Sequence, residues 1–147
     1  MPTIEAVTIL LIEDDPGHAR LIEKNLRRSN ITNEIKIIDN GQAALDYLFK
    51  KGDYTKSNHH SPLLVLLDLN LPEFDGYQVL EQMKADDRTK RIPVIILTTT
   101  DDSREVARCY ELGCNVYITK PVDYDHFSEA IRKIGLFLSV VTVPNGE

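Results

Sequence analysis

Apolar residues along this chain fall into two patterns that alternate from end to end. The first is a short, nearly unbroken run. Five occur: Val7-Thr8-Ile9-Leu10-Leu11-Ile12, Ile35-Lys36-Ile37-Ile38, Leu63-Leu64-Val65-Leu66-Leu67, Val94-Ile95-Ile96-Leu97 and Val116-Tyr117-Ile118. Their length and their β-branched content predict strands rather than helices. A strand that is apolar on both faces belongs to a parallel sheet covered on each side by helices. The second pattern has helical spacing. Ala19, Ile22 and Leu26 form one such face, preceded by Asp15-Pro16 as N-cap and first helical residue. Ala44, Leu45, Leu48 and Phe49 form a second, entered through the turn Asp39-Asn40-Gly41. Val79, Leu80 and Met83 mark a third. Val106 and Tyr110 mark a fourth, closed by Gly113. Phe127, Ala130, Ile131, Ile134 and Leu138 mark a fifth, with Asp123 as its N-cap.

Strand and helix thus alternate five times. This predicts an α/β fold, a doubly wound parallel sheet with right-handed crossovers. Residues 50–61 form a polar connection before the third strand. At about 12 residues it is long for a compact α/β protein, and mobility is expected there. The 147 residues suit one domain. It is expected to span 1–147, with a core over about 7–138 and a tail over 139–147.

Composition narrows the partners. Lys and Arg number 17 against 23 Asp and Glu, a net charge of −6. An acidic chain without a basic stripe is a poor nucleic-acid binder. No apolar run reaches the ~20 residues that span a bilayer, and no basic leader precedes an apolar stretch. A cytoplasmic protein without a membrane association is expected. Cys109 and Cys114 lack metal-ligand spacing and are read as reduced packing residues.

The chemistry is expected at the carboxyl ends of the strands, where open α/β sheets bind ligands. The first strand ends in Glu13-Asp14-Asp15, the third in Asp68, the fourth in Thr98 and the fifth in Lys120-Pro121. Two like charges ~4 Å apart repel by roughly 4 kcal/mol at an effective dielectric of about 20. Convergent acids therefore take up a proton or hold a cation, and hard oxygen donors suit Mg²⁺. A carboxylate can also attack phosphorus, giving an aspartyl phosphate. Phosphoryl transfer needs chiefly positioning and charge neutralisation, which Mg²⁺, Lys120 and Thr98 could supply.

These strand ends resemble bacterial response-regulator receiver domains. Ile9-Leu10-Leu11-Ile12-Glu13-Asp14-Asp15 is similar to the family's opening strand. Leu66-Leu67-Asp68-Leu69-Asn70-Leu71-Pro72 with Asp75-Gly76 is similar to its phosphoacceptor strand and loop. Pro93-Val94-Ile95-Ile96-Leu97-Thr98 and Tyr117-Ile118-Thr119-Lys120-Pro121 match its last two strands. The resemblance implies a flavodoxin-like five-stranded sheet in the order 2-1-3-4-5, with helices on both faces. It implies that Asp68 accepts phosphoryl from a partner histidine kinase. Glu13, Asp14, Asp68 and the carbonyl of Asn70 would hold Mg²⁺. Thr98 and Lys120 would meet the phosphoryl group, and the Lys120–Pro121 bond is often cis in the family. Thr98 and Tyr117 would act as switch residues that reshape the face of the fourth helix, fifth strand and fifth helix. Glu13 stands where Asp is commoner. Thr99 stands where a smaller residue is usual. Asn70 and Thr100 occupy positions that tune loss of the phosphoryl group.

After Pro121 only about 26 residues remain. A stand-alone regulator is therefore expected, relaying phosphate or binding a partner rather than carrying an effector domain. The long connection and the apolar tail Leu136-Phe137-Leu138-Ser139-Val140-Val141-Thr142-Val143-Pro144 resemble small receivers paired with cyanobacterial phytochrome kinases, which commonly form homodimers. Two other readings compete: a Mg²⁺-dependent phosphohydrolase with an Asp nucleophile, and a receiver-like scaffold that is never phosphorylated. The hydrolase usually needs a second Asp two residues after the first, where Asn70 stands. The scaffold normally has a broken acidic site. A nucleotide binder is disfavoured, since neither GxGxxG nor GxxxxGK[ST] occurs.

Overall fold

The structure, a computed structural model, describes residues 7–28, 31–55, 63–72, 74–99 and 102–119. Strands and helices alternate as β1 (Thr8–Ile12), α1 (Pro16–Arg28), β2 (Ile35–Ile38), α2 (Gly41–Phe49), β3 (Leu63–Leu67), α3 (Gly76–Ala85), β4 (Val94–Thr98), α4 (Ser103–Leu112) and β5 (Val116–Thr119). All strand pairs are parallel, and the sheet order is β2-β1-β3-β4-β5. Order reverses between β1 and β3. A doubly wound sheet opens its ligand crevice at such a point.

Every residue of β1 and β4 is buried, and the strands send alternate side chains to opposite faces. Leu10, Ile12, Val65, Leu67, Val94 and Ile96 join Ala44, Leu45, Val79, Leu80 and Met83 of α2 and α3. Ile9, Leu11, Leu64, Leu66, Ile95 and Leu97 join Ala19, Ile22 and Leu26 of α1. Helices thus cover both faces, which explains why the strands read as unbroken apolar runs. Each fully buried aliphatic side chain contributes about 1.5–3 kcal/mol.

Helix starts follow the capping chemistry. Asp15 accepts from the backbone N–H of Gly17 and His18 at 2.8 and 3.1 Å, so it caps α1 as expected. Asn40 caps α2 by accepting from Ala43 at 2.7 Å. Asp75 and Gln78 form a reciprocal capping box at the start of α3. Gly113 closes α4 with a positive φ of 106°, and its N–H reaches the carbonyls of Cys109 and Tyr110.

One expectation is refined and another needs correction. Of the connection over 50–61, the described part, residues 50–55, holds a 3-10 turn over Gly52–Tyr54, and Tyr54 meets Tyr47 edge-on at 5.1 Å. The remainder, 56–61, lies outside the described residues. In α4 the buried residue is Cys109, while Val106 is half-buried and Tyr110 is 49% exposed. The helix packs beside α3 and β5 at the sheet's margin, so a narrow stripe suffices to cover it. The fifth helix and the tail lie outside the described residues. Among the described residues, no helix is long and apolar enough to cross a membrane.

Candidate functional site

Strand register brings the acids together. Ile12 pairs with Leu67, so the residues that follow them, Glu13 and Asp68, emerge side by side. Two backbone hydrogen bonds extend the ladder by one step: Asp68 N–H donates to the Ile12 carbonyl at 3.1 Å, and Glu13 N–H to the Ile38 carbonyl at 3.0 Å. Carboxylate oxygens of Glu13, Asp14 and Asp68 lie within 4.8 Å of one another. Glu13 is 2% exposed and Asp68 5%, whereas Asp14 is exposed.

Two buried carboxylates this close take up a proton or hold a cation, because desolvation strips the water that would screen them. The donor set is all oxygen and one of its members faces solvent. That combination fits a hard divalent cation that retains part of its water. Glu13 and Asp14 also line a cleft of about 370 Å³ between the start of α1 and the end of β2, with Ile38, Asp39, Ala43 and Tyr54 on its other walls. His18 Nδ1, from the first turn of α1, lies 3.3 Å from Glu13 Oε1.

Around Asp68 the loop is tightly held. The N–H of Asn70 donates to Asp68 Oδ1 at 3.0 Å, and the Asn70 side-chain amide donates to Thr98 Oγ at 3.3 Å. Thr98, the last residue of β4, is fully buried beside this loop. Gly76 opens α3 against the same loop, with its N–H on the Leu69 carbonyl at 3.1 Å. A Cβ on Gly76 would collide with the Asp68 carbonyl oxygen and come within 2.6 Å of Leu69 Cα. Glycine is needed here for close approach, not for backbone freedom.

The structure thus gathers Glu13, Asp14, Asp68, Asn70 and Thr98 at one edge of the sheet. Tyr117 stands two strands from Asp68, opposite Ile96 in register, half-buried, and packed against the core that α2 and α3 share. Lys120, its bond to Pro121, and Thr100 lie outside the described residues. Sequence reasoning missed His18 and the packing role of Gly76. His18 carried no partner pattern, and its neighbour Glu13 is five residues back across a helix start. Gly76 had a signal in its place after the capping Asp75.

The comparisons with known proteins agree with this geometry. The profile of the response regulator receiver domain matches residues 9–132. Response regulator Rcp1 of Synechocystis is 40% identical over 137 residues, covering 92% of each chain. Its Mn²⁺-bound crystal structure superposes with a TM-score of 0.83, at 38% identity over 94% of this chain and 99% of that one. A response regulator receiver domain from Rhodospirillum rubrum is 55% identical with a TM-score of 0.86, over 96% of this chain and 99% of that one. The phosphorylated cyanobacterial phytochrome response regulator RcpA is 36% identical, also with a TM-score of 0.86, over 95% and 99%. Motifs, sheet order, acidic cluster and relatives converge, and the chain belongs to the response regulator receiver domain family, related to response regulator Rcp1 and to the cyanobacterial phytochrome response regulator RcpA.

Proposed function

We propose that Asp68 is the phosphoacceptor of this response regulator and receives its phosphoryl group from a phosphohistidine of a partner kinase. The observation that carries the reading is the convergence of Glu13, Asp14 and Asp68 within 4.8 Å at the switch point of the sheet. In the transfer, the histidine N–P bond breaks as a carboxylate O–P bond forms, and the leaving imidazole keeps or regains its proton from solvent. Glu13, Asp14, Asp68 and the Asn70 carbonyl would hold Mg²⁺, whose charge would neutralise repulsion between carboxylate and phosphoryl oxygens. The N–H of Asn70 orients the Asp68 carboxylate before the transfer. Thr98, already within hydrogen-bond reach of the Asn70 amide, supplies a hydroxyl beside the reacting group. Lys120 completes the set as the cation that meets the phosphoryl oxygens. The added charge of ~ −1.5 to −2 draws Thr98 inward and lets Tyr117 reorient, changing the face formed by α4 and β5.

Kinship with RcpA, described as a phytochrome response regulator, supports a phytochrome-type histidine kinase as donor. A cytoplasmic setting, where such kinases hold their ATP, follows from the same reading. The apolar stretch over 136–144 supports self-association. Light scattering on the protein with and without phosphorylation tests it, and a monomer in both states rules it out.

The decisive experiment incubates the protein with Mg²⁺ and acetyl phosphate and measures intact mass. One added phosphoryl group is expected, lost in Asp68→Asn and when EDTA removes the metal. An unchanged mass overturns the reading in favour of a scaffold. Turnover of general phosphomonoesters overturns it in favour of a hydrolase.

A further inference from the structure

The Asp15 cap does more than start α1. By accepting from the N–H of His18 at 3.1 Å, it holds the backbone of His18 in the first turn of α1. From that anchor the imidazole Nδ1 reaches to 3.3 Å from Glu13 Oε1. The two side chains differ sharply in setting: that of Glu13 is 1% exposed and that of His18 is 49% exposed. The ring therefore stands between a buried carboxylate and bulk water.

Glu has one more methylene, and one more torsion, than Asp. A carboxylate that must meet a cation at a set place loses affinity for every rotamer in which it points elsewhere. Groups that touch a ligating carboxylate from behind commonly restrict that freedom, and their removal costs about 10–100-fold in metal affinity. We propose that His18 is a positioning residue: its ring holds the long Glu13 side chain in the rotamer that faces Asp14 and Asp68. The inference rests on the reading of these acids as a cation site. A contact between exposed groups contributes little, but here Glu13 is desolvated, so the ring touches a group that water does not hold in place.

The test measures Mg²⁺ affinity of the full chain by calorimetry, with circular dichroism to confirm folding. His18→Ala is expected to weaken Mg²⁺ binding by about tenfold or more. His18→Asn, whose amide nitrogen occupies the place of Nδ1, is expected to restore most of the loss. In a Glu13→Asp background, where the shorter side chain stops short of the ring, His18→Ala is expected to change nothing further. Affinity within about twofold of wild type in His18→Ala, below the range such contacts give, overturns the proposal. An equal loss in the Glu13→Asp background also overturns it, since the effect would then not run through Glu13. Should the alanine variant fail to fold, the contrast between His18→Asn and His18→Leu decides: similar size, with and without the nitrogen. Wild-type protein that binds no Mg²⁺ and takes up no phosphoryl sinks the functional reading itself. Wild type that does both while His18→Ala is unchanged sinks only the role of His18.

Discussion

Helices α3 and α4 are each ten residues long and flank the strand end that bears Asp68, yet they are held very differently. Helix α3 buries Gly76, Val79, Leu80 and Met83, the last three completely. It opens with a capping box, and its first residue is pressed against the Asp68 loop. Helix α4 buries Cys109 alone, and its neighbour β5 has no fully buried residue. The side proposed to perform the chemistry is clamped. The side expected to transmit the result is attached by a narrow stripe. Rigid placement serves a reaction that depends on positioning. A segment with few buried contacts can be displaced by a modest change in local interactions. The difference therefore teaches how one small sheet can hold one side of its strand ends firmly and the other by few buried contacts.

The comparison breaks most visibly if the two helices prove equally anchored. Leu80→Ala is expected to cost about 2–5 kcal/mol, whereas Val106→Ala on α4 costs about 1 kcal/mol or less, both read from urea unfolding. Equal losses would refute the contrast. Next in size, Gly76→Ala is expected to cost about 1–3 kcal/mol through overpacking. It should also slow phosphorylation by acetyl phosphate, because relief of the clash moves the Asp68 loop. A variant with native stability and native rate would show that the clamp is looser than the geometry indicates.

The anchor of α4 gives a chemical handle. Burial pushes the Cys109 thiol up to about 11, with Cys114 beside it adding to the shift, and burial does the same to Cys114. The folded state thus keeps protons that the unfolded chain releases near pH 9, so stability is full below that pH and falls as pH rises toward 11. Urea midpoints measured across this range should decline, and decline less in a Cys109→Ala, Cys114→Ala double variant. At pH 8, iodoacetamide should label the native protein far more slowly than the denatured one. The rate at Cys109 should match amide exchange in α4 and exceed exchange in α3. The smallest effect is expected from Tyr110→Phe. It removes the hydroxyl that accepts from the Tyr117 N–H at 3.1 Å, a loss of about 0.5–1 kcal/mol at an exposed position. If α4 and β5 are coupled through this bond, the variant should raise amide exchange at Tyr117 without disturbing α3.

Much of the architecture was legible before any coordinates. The five apolar runs became the five strands, within a residue at each end, because burial on both faces leaves a simple signature. The capping Asp15 and the closing Gly113 stood where the chain pattern put them, whereas Asn40, read only as part of a turn, proved to cap α2. Tyr110 misled because helical spacing marks a stripe but not its width. On a helix at the sheet's margin that stripe shrinks to Cys109. Tyr54 hid in a polar segment because a single aromatic contact has no period.

What the sequence determined on its own is local: which stretches extend, which coil, and which acids and hydroxyl end each strand. The tertiary structure alone decided adjacency. The pairing of Ile12 with Leu67 sets Glu13 against Asp68, and the turn from β1 into α1 swings His18 back over Glu13. Periodicity reports how each segment meets its surroundings. It carries no information about which residue of a distant segment is met, since that depends on strand register and on the direction in which each helix returns.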